Sequence, residues 1–156
     1  MEITERIKTI SGQQEFLFWV ASVNKNKVCE LTRVAGYTIE ADNEHITIFL
    51  PKQLFDNIEQ TLKVDSKISF LMASILNFES YQIKGNYVSH QMCTEENVDS
   101  YQGKVLKIIE ILSGMGLEGN RIFGYLLDQP SIALRMRFTE MYEQTPKPGT
   151  GGKLTH

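Results

Sequence analysis

Two blocks of apolar, β-branched and aromatic residues, 16–23 and 28–39, open the chain and are separated by the polar Asn24-Lys25-Asn26-Lys27. Such residues suit a pleated surface and the separator suits a tight turn, so the pattern predicts two antiparallel strands. A second polar turn, Ala41-Asp42-Asn43-Glu44, precedes a third strand from His45 to Leu50, which completes a meander. Before these strands, Ile3, Ile7 and Ile10 recur at helical steps and stop at Gly12, which predicts a short amphipathic helix. Pro51 suits the start of a helix, and Leu54, Phe55, Ile58 and Leu62 mark its apolar face.

The second half repeats the alternation. Residues 67–73 read as a buried strand and 80–89 as another, with Tyr81, Ile83, Gly85 and Tyr87 alternating against Gln82, Lys84 and Asn86. Those three polar side chains share one face. Thr94 followed by two glutamates predicts a capped helix carrying Val98, Tyr101, Val105, Ile108, Ile109 and Leu112. A shorter helical stretch, 122–127, ends before Pro130, and a last strand, 131–141, alternates Ile132, Leu134, Met136 and Phe138 with Arg135 and Arg137. About six antiparallel strands with covering helices predict a mainly β fold, a small β-barrel that leaves few open edges. Residues 1–144 are read as one domain and 145–156 as an irregular Pro/Gly-rich tail.

Composition narrows the function. At 156 residues and 42% hydrophobic, the chain is long enough for one sizeable core. A net charge of -3 without a basic run argues against nucleic acid as a partner. No apolar run approaches a membrane span and the first residues are polar, so a cytoplasmic protein is expected. Cys29 and Cys93 lack a second Cys or His at ligand spacing and are read as reduced, half-buried core thiols. His45 and His90 have no Cys or acid at ligand spacing that would argue for a metal. Ser22, Ser74 and Ser80 have no nucleophile-elbow context, and Gly149, Gly151 and Gly152 open no helix, which argues against hydrolysis and a dinucleotide fingerprint. Arg135 and Arg137 read as edge and solubility charges, and Trp19, Tyr37, Tyr81 and Tyr87 as core aromatics.

Three stretches carry a family resemblance: Leu31-Thr32-Arg33-Val34-Ala35-Gly36, Ile46-Thr47-Ile48-Phe49-Leu50-Pro51-Lys52, and Ser80-Tyr81-Gln82-Ile83-Lys84-Gly85. In this order they resemble the FMN-binding split β-barrel proteins related to pyridoxamine 5'-phosphate oxidase. The closing Tyr142-Glu143-Gln144-Thr145-Pro146-Lys147-Pro148-Gly149 is similar to a tail in one branch of them. The resemblance implies a homodimer with FMN in a cleft between two barrels, and hydride transfer from NADH or NADPH to a small acceptor without a catalytic side chain. Residue by residue it implies Arg33, Lys52 and Gln53 at the phosphate, Val34, Phe49 and Leu50 along the ring through their backbone, and Gln82 and Lys84 at its polar edge. The oxidase proper has a Ser/Thr with adjacent Arg and Lys before its helix, whereas this chain has Pro51-Lys52-Gln53, one fewer cation and no hydroxyl for the flavin phosphate; the resemblance does not extend to the oxidase's vitamin substrate site, so that activity is not expected. The alternatives are a stress-related protein that holds flavin or haem in the same cleft without turnover, and an empty barrel kept for dimerisation and partner contact. The tail is expected to fold over the cleft or onto the partner subunit.

Overall fold

Burial alternates along β1 (Phe16–Val23): Phe16, Phe18, Val20 and Ser22 are buried, while Leu17, Trp19 and Ala21 between them are half-buried. That period of two is what a strand with one face on a core requires. The computed structural model describes residues 3–13, 15–149 and 151–154. It continues through β2 (Cys29–Val34), β3 (Gly36–Ile39), β4 (His45–Pro51), β5 (Lys67–Ser74), β6 (Ser80–Met92), β7 (Ser131–Glu143) and β8 (Lys153–Leu154). All pairings are antiparallel in the order β2-β1-β5-β6-β7-β4-β3, with β8 beside β7.

The two ends of this order, β2 and β3, are separated in the chain by Ala35 alone. The strand expected over 28–39 therefore changes partners midway: Phe18 pairs with Val34, and Gly36 pairs with Phe49. Ala35 marks the switch by donating its N–H to Phe49 O at 2.7 Å. One bent stretch thus forms both ends of the sheet and curls it into a split barrel of six long strands. Inside, the rings of Phe18, Tyr37 and Phe70 meet at 5.1–5.8 Å between centroids. Val20, Ile46, Ile48, Leu50, Ile83, Leu134 and Met136 around them are 0% exposed.

The helices close what the sheet leaves open. α1 (Ile3–Ser11) inserts Ile7 and Ile10 into the same core, and Tyr37 Oη donates to Ile7 O at 3.0 Å. Arg6 ties α1 to β6 by donating to Tyr81 Oη and pairing with Glu79. Burial pushes the Tyr81 hydroxyl up to about 12, so it remains a donor to Glu79 at neutral pH. α2 (Lys52–Val64) buries Phe55, Ile58 and Leu62.

α3 (Glu95–Gly114) starts at a capping box in which Thr94 accepts from Asn97 N and Asn97 accepts from Thr94 N. With α4 (Gly119–Phe123) and a 3-10 turn, Gly124–Leu127, it forms a second core outside the barrel. Here Tyr101, Val105, Ile108 and Phe123 pack on Ala35, Phe49 and Ala133.

Four expectations need correction. Cys29 is exposed at the first position of β2, because β2 is an end strand of the sheet, paired on one side only, with β1; Cys93 is half-buried as read, and both are free. Trp19 lies on the outward, half-buried face of β1 and not in the core, since its parity is opposite to that of Phe18 and Val20. The strand begun at Ser80 runs on to Met92, carried by β7 alongside it. The tail is not irregular throughout: Gly151 N donates to Glu143 O, and Lys153–Leu154 pair back onto β7. This hairpin covers the part of β7 beyond the reach of β4, and Lys153 reaches Glu140 at 2.7 Å.

Candidate functional site

The outward side chains of β2, β1, β5, β6 and β7 fall into rows across the sheet. One row is Arg33, Trp19, Leu71, Gln82 and Tyr142; the next is Leu31, Ala21, Ser69, Lys84 and Glu140. Over the second row lies a cleft of about 570 Å³, with Ala21 and Val23 as apolar lining and Ser69, Gln82, Lys84 and Asn86 as polar lining. That volume and mixture suit a small ligand. Gln82 Nε2 donates to Ser69 Oγ at 2.9 Å, which fixes the amide and leaves the hydroxyl hydrogen free to turn into the cleft. Lys84 Nζ stands 4.5 Å from the centroid of the Tyr142 ring. Glu140, opposite Lys84, is held below the usual carboxylate range by hydrogen bonds from Lys153 and Tyr142.

The residues expected to act together fall in three places. Gln82 and Lys84 line the cleft, and Arg33 lies three strands away on the same outer face, its guanidinium 4.6 Å from the centroid of the Phe123 ring. Lys52 and Gln53 border a separate hollow of about 230 Å³ at the start of α2, together with Asp56, Asp128 and Gln129. Val34 and Leu50 point into the barrel core, while Phe49 is buried in the outer core at 5.4 Å from Tyr101. The backbone of Phe49 is engaged as well, its carbonyl accepting from Ala35.

These placements test a flavin phosphate against the residues present. Both carboxylate oxygens of Asp56 accept from Lys52 Nζ at 2.8 Å, and Asp128 adds a second negative charge to the hollow. The uncapped start of α2, with no acid in its first turn, favours an anion, but one lysine against two carboxylates opposes a dianion there. The α2 hollow therefore does not fit a phosphate. Arg33 does fit one, since no carboxylate among the described residues lies within ion-pair distance of it.

Sequence reading missed Ser69, Lys67 and Cys29 as cleft neighbours. Their signal was present in parity: Lys67 and Ser69 alternate with the buried Ile68 and Phe70, but only the β5–β6 register puts them beside Lys84 and Asn86.

Glu40, Asp42 and His45 present ligand atoms within 4.8 Å of one another. Arg135 closes this group, donating to both Glu40 oxygens at 2.7–3.0 Å, and His45 pairs with Asp42, so the cluster reads as an ion-pair network joining the β3–β4 turn to β7. The Arg135 hydrogen bonds hold the Glu40 carboxyl below its ordinary range, with Thr47 adding a further donor. A depressed folded-state value adds stability above the unfolded value, about pH 4.3, that is lost as pH falls through the folded value. Glu40→Gln is thus expected to flatten the acid limb of a urea-midpoint against pH profile; an unchanged limb would show that the pair adds nothing.

No family model and no curated protein matches this chain in sequence. Solved structures do match in fold. HupZ of Group A Streptococcus superposes with a TM-score of 0.54 at 11% identity, over 97% of this chain and 100% of that one. An FMN-binding protein of Syntrophomonas wolfei matches at 0.54 and 10% identity, over 83% of this chain and 78% of that one. A candidate pyridoxamine 5'-phosphate oxidase of Lactobacillus delbrueckii matches at 0.51 and 9%, over 88% and 90%. At these identities the likeness establishes the fold, which is the split β-barrel of the FMN-binding, pyridoxamine 5'-phosphate oxidase-like proteins.

Proposed function

We propose that this split barrel is a cytoplasmic, homodimeric flavoprotein oxidoreductase that holds FMN on the outer sheet face and passes hydride from NADH or NADPH to a small acceptor. The observation that carries the reading is the face itself. A polar-lined cleft, an arginine with no carboxylate partner among the described residues and half-exposed apolar residues occupy one surface that a second copy of the chain would cover. Arg33 would hold the phosphate, and Gln82, Ser69 and Lys84 the ring edge; Val34, Phe49 and Leu50 support the sheet from behind. The bound flavin supplies the hydride-accepting chemistry. The chain's part is to orient that edge, to place the Lys84 charge beside it and to exclude water from the covered face. Two free cysteines suit a reducing compartment, and no helix of the described residues is long and apolar enough to cross a membrane.

A second reading, a stress-related protein that holds flavin or haem in this cleft without turnover, is favoured by the neutralised Lys52, which removes one cation expected at the phosphate. An absorbance spectrum and an FMN titration followed by flavin fluorescence test both. Saturable quenching at one FMN per chain, weakened about tenfold by Arg33→Ala through loss of a charge-assisted phosphate contact, supports the flavin cleft. Oxidation of NADH or NADPH by the loaded protein then supports the enzyme. Binding without turnover favours the second reading, as does a haem Soret band. A colourless protein that ignores FMN overturns the flavin reading.

A further inference from the structure

Lys67 and Lys84 lie diagonally on neighbouring strands, Lys67 opposite Asn86 and Lys84 opposite Ser69, and both line the outer cleft. On adjacent strands such diagonal side chains are within reach of one group. Among the described residues, ten of the sixteen lysines and arginines have a carboxylate within 4.0 Å. Among the described residues Lys67 and Lys84 do not; the Lys84 ammonium stands over the Tyr142 ring, at 4.5 Å from its centroid, which leaves its charge without a carboxylate to neutralise it. Glu140, opposite Lys84 and itself part of the lining, feels the Lys84 charge but is hydrogen-bonded by Lys153 at 2.7 Å, so a third cation stands at the cleft rim. The local balance is positive in a chain whose net charge is -3. The same lining carries the neutral polar groups Ser69 and Asn86 and the outward apolar Ala21 and Val23. Both lysines are solvent-exposed and border the same cleft of about 570 Å³.

We infer that the Lys67–Lys84 end of this cleft is a subsite for the anionic group, a carboxylate or a phosphate ester, of a small ligand whose flat apolar part lies along Ala21 and Val23. The inference deepens the proposed function and rests on it in one respect: it makes the acceptor an anion. Arg33, three strands away, is left for the cofactor. The α2 hollow is excluded, because Asp56 and Asp128 outweigh Lys52 there.

The test is a proton–nitrogen correlation NMR titration of the full chain at fixed ionic strength with benzoate, phenyl phosphate and, as neutral control, benzyl alcohol. Saturable shifts at the amides of Ser69, Lys84 and Asn86 are expected with an anionic probe and not with benzyl alcohol. The double substitution Lys67→Gln/Lys84→Gln is expected to weaken that binding at least fivefold while leaving the thermal midpoint within a few degrees. Tighter binding of phenyl phosphate assigns the natural group as a phosphate ester, and tighter binding of benzoate as a carboxylate. The inference is overturned by absent shifts, by shifts confined to residues 52–55, by equal response to benzyl alcohol or by indifference to the double substitution. An FMN titration of the same sample separates the two readings: anion binding without flavin binding sinks the flavin cleft and leaves the subsite, and the reverse sinks the subsite alone.

Discussion

Gly85→Ala is expected to cost at least about 3 kcal/mol of folding stability, the upper end of what a single overpacked methyl does. The reason is close approach of backbone and not conformational freedom. A Cβ at position 85 would sit 2.1 Å from Arg137 O and 2.8 Å from Met136 Cε. The methionine tip can rotate away, but the carbonyl belongs to β7, which pairs with β6 on one side and β4 on the other. β7 would have to move as a whole. The same place carries a register shift, between Lys84 and Gly85, so the crowding lies at the irregularity that sets where Lys84 points. Loss of this much from a domain of about 5–15 kcal/mol total stability lowers the urea midpoint visibly. Gly103→Ala is the control, since nothing lies within 4 Å of a Cβ there and the position is in α3, where alanine gains up to about 1 kcal/mol over glycine. A Gly85→Ala midpoint matching wild type would show that β7 yields more easily than its pairing implies.

Gly85 also shows what a sequence can disclose and what it cannot. The stretch Ser80–Gly85 was legible as a strand by alternation, and its glycine marked the resemblance to a fold family. The reason for the glycine is a contact with residue 137, fifty-two positions away, that no local pattern contains. The barrel was readable because each strand carries its own period-two stripe, visible in Phe16, Phe18 and Val20 or in Ile132, Leu134 and Met136. The partner switch at Ala35 was not, because both of its halves have the same composition and only the choice of neighbour changes. Site residues divide in the same way. Gln82 and Lys84 were found because parity puts them on one face, whereas Lys67 and Ser69 needed the β5–β6 register. Lys52 looked like a phosphate ligand from its position before a helix. Asp56, one turn later, was equally visible, and an i,i+4 pair of opposite charges was the local signal that the lysine is already engaged.

Leu31→Asp is expected to convert a dimer into a monomer, shifting the dissociation constant by at least about a hundredfold, or roughly 2.7 kcal/mol. Leu31 is 61% exposed on β2 and Val23 is 41% exposed on β1, next to the half-buried Ala21, Trp19 and Leu71 on one continuous sheet face. An apolar sheet surface of this kind, bordered by the polar cleft, calls for a cover. A second copy meeting it about a two-fold axis would present the substitution twice, so two unpaired carboxylates enter the interface for one change in sequence. The isolated chain should tolerate it, because a side chain this exposed contributes within about 0.5 kcal/mol to folding. Sedimentation velocity at micromolar protein, with a urea midpoint on the same samples, separates the two effects. A dimeric wild type and a monomeric variant of equal stability would place the interface on this face. A monomeric wild type would remove the homodimer from the proposed function, and the cleft would then have to bind its ligand uncovered, where water competes for Lys84 and Gln82 and the water exclusion that assists hydride transfer is lost. A variant that remains dimeric would move the interface elsewhere and leave the outer face for a different partner.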